Sequence, residues 1–169
     1  MRRRAPVIAF SSLIALVIAG VWLSGSAIAR NRVPVAAPPG AFERLTTYLT
    51  RNVAETRDDH RFPELRTRVF EVGADDLVEY TRRAGEQLEW KDIGVDPRQR
   101  RVRAQIRTPL LGFVDDLEAR VEAAGSGSAR LQVRSSSRIG RGDFGANARH
   151  VLDLYQTVEA LIAENGPGE

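Results

Sequence analysis

The side chains able to do chemistry crowd into one stretch, Arg134 to Asn147, which reads RSSSRIGRGDFGAN. It holds Arg134, Ser135, Ser137, Arg138, Gly140, Asp143, Gly145 and Asn147. Gly140-x-Gly142-x-x-Gly145 spells the dinucleotide fingerprint between a strand and a helix. That use requires a further parallel strand ending in an acid, and none follows in the sequence, so no nucleotide is expected. Asp143-Phe144-Gly145 spells a kinase metal motif without its catalytic loop or glycine-rich cover, a coincidence. Two uses of the stretch remain. The N–H groups that open a helix, ringed by Arg138, Arg141 and Arg149, offer an anion seat. Alternatively Asp143 caps that helix and takes the donors itself, while Gly140 and Gly142 let the chain leave the strand sharply. The residue types favour the cap.

Asp115-Asp116 is the other candidate, a carboxylate pair of the kind used for metal or acid–base work. On a strand, adjacent side chains point to opposite faces, so the two cannot share a proton or clamp one ion. Asp115 falls on the inward parity and needs a partner, for which Arg138 or the serines Ser135 and Ser137 are the natural choices. A buried structural ion pair is therefore expected before catalysis. His60 reads as a loop residue and His150 lies on the terminal helix, so no Ser/His/Asp arrangement has supporting spacing. Trp90 is opposite in parity to Ile93 and Val95, which puts it on an open sheet face with Arg103, Gln105 and Arg107. That face is a shallow ligand groove or a solvated surface. No catalytic residue, cofactor or metal site is assigned.

Periodicity supplies the elements that hold these residues. Phe42, Leu45, Tyr48 and Leu49 recur at helical spacing to about Thr50, giving an apolar face for the domain or for a membrane. Asn52 to Leu65 is polar and aperiodic, an extended surface segment. Arg66 to Val72 alternates as a strand. Ala74 to Leu88 is a helix with Asp75 and Asp76 in its first turn, where acids suit the dipole. Strands follow at about Leu88 to Val95 and at Arg101 to Thr108, joined by a type I turn at Asp96-Pro97. After Pro109 and Gly112, FVDDLEARVEA and Ala129 to Ser136 form a hairpin over Gly125-Ser126-Gly127. Closing it at Ala124 and Ser128 sets Glu122 opposite Arg130, Arg120 opposite Gln132, Glu118 opposite Arg134 and Asp116 opposite Ser136. A slip of two would oppose two arginines. A last helix runs from Asp143 through Val151, Leu154, Tyr155 and Val158 to about Glu164, and Asn165-Gly166-Pro167 stops it. The order is β-α-β-β-β-β-α, an α+β two-layer domain with about five antiparallel strands and helices on one face.

The N-terminus sets the expected compartment. Arg2, Arg3 and Arg4 precede a stretch without charge from Ala5 to Ala29, the pattern of an export signal whose basic end stays cytoplasmic. Ala27-Ile28-Ala29 fits a cleavage site, whereas the length of the apolar run suits an uncleaved span of about 20 residues. The expected division is a membrane anchor or signal peptide at 1–29, a semi-rigid spacer at 30–41 that holds the domain off the bilayer, and one domain at 42–165 facing outward. The formal charge of +3 comes from the three leading arginines: of 25 bases and 22 acids, 22 and 22 fall after the apolar run. A neutral outward domain argues against nucleic acid, leaving the lipid bilayer and an unidentified envelope ligand or protein as partners. With no Cys in the chain, neither disulfides nor thiolate chemistry is available.

On FVDDLEARV and RSSSRIGRGDFGANARHV the chain resembles the domain-of-unknown-function 1499 family of bacterial and plastid proteins, over about residues 48–164. The pattern is Phe-x-Asp-Asp on a strand, then Arg-Ser-x-Ser-Arg-x-Gly-x-x-Asp-x-Gly-x-Asn opening the last helix. Phe113, Asp115, Asp116, Arg134, Ser135, Ser137, Arg138, Gly140, Asp143, Gly145 and Asn147 fill it. Asn52, Thr56 and His60 stand where the family has an N-terminal Asn, Ser/Thr and His, although the Cys many relatives carry beside that Asn is missing. The family has no established reaction, so the resemblance implies a domain and no substrate. The expectation is a membrane-tethered extracytoplasmic module that binds without catalysis. The alternative is a hydrolase or small-anion enzyme using Asp115, Asp116 and Arg138.

Overall fold

A computed structural model describes residues 5–108 and 112–165; Arg2 to Arg4, Pro109, Gly166 and Pro167 lie outside the described residues. The elements in chain order are α1 (Ala5–Asn31), α2 (Ala41–Thr50), β1 (Val53–Glu55), a 3-10 turn at Pro63–Leu65, β2 (Arg68–Phe70), α3 (Ala74–Gln87), β3 (Lys91–Asp96), β4 (Arg101–Arg107), β5 (Val114–Gly125), β6 (Ser128–Ser137) and α4 (Ala146–Asn165). The six described strands form one antiparallel sheet in the order β1-β6-β5-β4-β3, with β2 also on β6. This is the expected α+β architecture with one strand more.

The sheet buries one face because its strands alternate. Val102, Ala104 and Ile106 of β4, Leu117, Ala119 and Val121 of β5, and Leu131 and Val133 of β6 are all buried, and all but Ala104 join a core with Leu77, Tyr80 and Ala84 of α3 and Val151, Leu154, Tyr155 and Val158 of α4. The Tyr155 hydroxyl donates to the Leu131 carbonyl at 2.9 Å, fixing α4 over β6. The hairpin has the charge-matched register: Glu122 faces Arg130, Arg120 faces Gln132, Glu118 faces Arg134 and Asp116 faces Ser136. Its closing pair is Gly125 with Ser128, and an irregularity between Ala123 and Gly125 absorbs Ala124.

Three stretches differ from the sequence reading. Val53–Glu55, expected on the surface, pairs with Ser136, Ser135 and Arg134 of β6; three residues are too few to show a period. Trp90 is not on the open face. Leu88, Glu89 and Trp90 donate back to the last carbonyls of α3, Glu89 and Asp92 take positive φ, and the β3–β4 register shifts between Lys91 and Gly94. That shift breaks the parity count, so Trp90 and Ile93 both pack against the core. The third difference is the stretch 30–41. Ile28 and Val33 belong to the core, and the following carbonyls fold around Arg44, whose side chain is fully buried. Its guanidinium donates to Pro34 O, Ala37 O and Pro38 O, pairs with both Glu64 oxygens and lies 4.3 Å over the Phe62 ring. Such full satisfaction is what permits a buried charge. The stretch is a strap tied to the domain.

Candidate functional site

The strand-to-helix corner is built by two close approaches. The backbone of Gly142 lies so near Leu49 that a Cβ would stand 2.2 Å from the Leu49 carbonyl oxygen, and at Gly145, with φ +84°, a Cβ would meet Val33 at 2.8 Å. Only glycine fits at either place. Phe144 N–H donates to Tyr48 O at 2.9 Å and Asp143 N–H to Arg51 O at 3.1 Å, stitching the corner to the end of α2. Asp143 caps α4: Oδ1 accepts Gly145 N–H at 2.8 Å and Oδ2 accepts Asn147 N–H at 3.0 Å. The N–H groups of Phe144, Gly145 and Asn147 are therefore occupied, and Gly142 and Gly145 face protein.

Asn147, fully buried, ties the motif together. Its Nδ2 donates to Asn52 O at 2.9 Å, Ser137 Oγ at 2.9 Å and Asp143 Oδ2 at 2.6 Å, and its Oδ1 accepts the Ser135 hydroxyl at 2.6 Å. Asn52 in turn donates to Gly140 O at 2.7 Å. Because the Ser135 proton goes to Asn147, Ser135 Oγ is left to accept from His150 Nδ1 at 3.2 Å, which assigns the ring proton to Nδ1. Asp115 Oδ2 lies 3.7 Å from that same nitrogen. Ser135, His150 and Asp115 thus meet in space, although their spacing in sequence gave no sign of it. They do not form a catalytic triad, which needs the serine and the acid on different ring nitrogens and a proton free to leave the serine. All three lie under the sheet.

The expected ion pair of Asp115 is not made. Asp115 is fully buried on the inward face, and neither of its oxygens has a hydrogen-bond partner among the described residues. Burial pushes its carboxyl upward. Arg138 instead turns to the open face and grips Asp116 through Nε at 2.8 Å and Nη2 at 2.6 Å, holding that carboxyl below its usual range. The two acids use opposite faces, as strand alternation dictates, and do not share a proton. Burial also raises the Asp143 carboxyl, opposed by the N–H groups it accepts. Burial lowers His150 to about 4, with the Arg149 charge adding, so the ring is neutral at pH 7.

Two hollows open to solvent. The larger, about 570 Å³, lies between α2, β1 and the loop after it, beside the corner. Tyr48, Phe62 and Leu65 line it together with Arg51, Asn52 and His60. His60 Nδ1 accepts Phe62 N–H at 2.9 Å, leaving Nε2 as its remaining polar atom. Sequence reasoning reached Asn52 and His60 only through the family pattern and missed Arg51, Tyr48 and Phe62 as lining residues, since nothing in a short aperiodic segment marks a wall. The second hollow, about 460 Å³, is a shallow trough on the open sheet face lined by Asp116, Glu118, Arg103 and Arg134, without Trp90. Glu118 is bound there by Arg103 at 3.0 Å and Arg101 at 3.4 Å. No group of three or more His, Asp or Glu side chains among the described residues is placed to hold a metal ion.

A family model described as a protein of unknown function, DUF1499, matches residues 31–158. No curated protein matches the chain. Among solved structures, the crystal structure of the di-domain ARO/CYC BexL from the BE-7585A biosynthetic pathway is similar at 12% identity and a TM-score of 0.44, covering 66% of this chain and 47% of that one. The chain spans about half the length of that structure.

Proposed function

This chain belongs to the DUF1499 family of proteins of unknown function, and from that premise we propose that it is a membrane-tethered, outward-facing module that binds a ligand without catalysis. One observation carries this reading: the motif residues engage one another. Asn147, Ser135, Ser137, Asp143 and Asn52 close an internal network under α4, and Asp116 and Arg138 are paired with each other. A catalytic site would leave such groups free toward a cavity, whereas Asn52 and Asp143 at the larger hollow and Asp116 at the trough are taken up by Gly140, the α4 N–H groups and Arg138. The ligand seat is the 570 Å³ cleft beside the corner, whose size suits a small molecule. α1 supplies the tether: Ile14–Asn31 is apolar enough, by length and composition, to cross a membrane. The basic residues ahead of it favour a cytoplasmic N-terminus and an outward domain.

The test is native mass spectrometry of the full chain released in mild detergent from its own membranes, beside a Thr47→Trp variant that fills the cleft from α2. A retained mass on the natural protein that disappears from Thr47→Trp is expected. A bare protein in both, or an adduct that survives the tryptophan, would overturn the cleft as a ligand seat. Turnover of ester or phosphoester substrates lost on Asp116→Asn would favour the hydrolase instead.

A further inference from the structure

We propose that the corner where α1 meets the domain is a bilayer-facing surface that seats acidic phospholipid headgroups, a role that rests on the tether reading above. The first support is continuity. The uncharged run from Ala5 to Ala29 is 25 residues, about 37 Å of helix at 1.5 Å per residue against about 30 Å of hydrocarbon. The surplus carries its last residues to headgroup depth. There α1 is already bound to the domain: Ile28 is 6% exposed and Val33 7%, and Asn31 Nδ2 donates to Phe144 O at 2.9 Å. No slack separates the anchor from the corner, so the groups around the corner lie at the membrane surface.

The second support is what those groups are. The Asp143–Arg51, Phe144–Tyr48 and Gly142–Leu49 contacts bring the end of α2 and the loop after β6 together beside the end of α1. Leu49 is 44% exposed, Ile139 63% and Phe42 86%; Phe42 and Leu49, seven apart, share one stripe of α2. Gathered at one corner beside the end of an apolar helix, side chains of this size suit an interface. Around them Arg30, Arg32, Arg51 and Arg141 are exposed, and none has an ion pair among the described residues, so four cations gather at this one corner. Two acids nearby are engaged: Glu43 by Arg61 and Asp143 by the α4 N–H groups. Free guanidinium groups beside exposed apolar side chains match an anionic headgroup layer.

The absence of cysteine allows single labels on the full chain. An environment-sensitive fluorophore is placed at Phe42→Cys, Leu49→Cys and Ile139→Cys, with Ser126→Cys as control; ten residues of β6, about 33 Å of strand, separate that hairpin from the corner. A fifth label at Trp22→Cys reports on α1. The proteins are reconstituted in vesicles carrying lipid-borne quencher, made of phosphatidylcholine with or without phosphatidylglycerol. Expected is severalfold stronger quenching at 42, 49 and 139 than at 126, reduced severalfold by Arg51→Glu with Arg141→Glu or by omitting the acidic lipid. Quenching at Trp22→Cys with the three corner labels no closer to lipid than 126 overturns the surface and leaves the tether standing. No quenching at Trp22→Cys overturns the tether and the surface with it. Corner quenching indifferent to acidic lipid and to the arginines overturns headgroup recognition.

Discussion

His150 is buried as a neutral base, and its effect on stability has a definite sign. Its folded pKa is about 4 against an ordinary 6.5. Between those values the unfolded chain binds a proton that the folded chain refuses, so stability is full above pH 6.5 and falls as pH drops toward 4. The shift corresponds to a loss of about 3 kcal/mol across that window. Asp115 works in the opposite sense: burial raises its folded pKa, so its contribution is present below 3.8 and is lost as pH rises through the folded value. Urea unfolding from pH 7.5 to 4 should show declining stability for the natural protein and a flatter profile for His150→Gln, which keeps a hydrogen-bonding side chain for Ser135. An unchanged slope in the variant would assign the decline to other groups. At this scale strand parity makes Asp115 legible as inward, and residue type at the start of a helix makes Asp143 legible as a cap. The partner of Asp115 was not legible, because Arg138 lies one residue beyond β6, where alternation no longer fixes its direction. His150 was missed because only the packing of α4 on the sheet brings it to Asp115 and Ser135.

The elements hold together through contacts whose legibility depends on how regular they are. The β5–β6 register could be read because cross-strand charges allow one alignment, and α3 and α4 because their apolar stripes are long. The bulge in β3 could not, since two positive-φ residues undo a parity count that assumes none. The Arg44 clamp left no sequence signal at all: an arginine four residues before a tyrosine on an amphipathic helix reads as surface. Its removal should be felt widely. Arg44→Met removes the cation that serves Glu64 and the strap carbonyls, and breaking one side of a buried pair typically costs about 3–5 kcal/mol. Chemical denaturation should show a loss of that order, with hydrogen exchange accelerating first in α2 and at residues 63–66. A variant within about 0.5 kcal/mol of the natural protein would mean that the clamp is incidental to the fold.

For the whole molecule, the strap and the corner bear on whether the first 29 residues stay attached. A removable signal leaves behind a domain indifferent to its loss. Here cleavage after Ala29 would withdraw Ile28 from the core and free the chain that carries Asn31 and Val33, which contact Phe144 and Gly145. Val33 is the side chain that the bare Gly145 admits, so the family motif at the corner and the exit of α1 are parts of one joint. That favours retention, and it gives Gly142 and Gly145 of the motif a purpose that involves no ligand. In cell fractions the protein should retain residues 1–29 and resist extraction from membranes by high salt. A product shorter by about 3 kDa and free in the soluble fraction would establish cleavage. Ile28→Asp then separates docking from anchoring: the protein should remain in the membrane fraction while protease cuts between residues 30 and 40 faster than in the natural chain, because a charge in place of Ile28 disfavours its seat in the core without removing the apolar length that spans the bilayer.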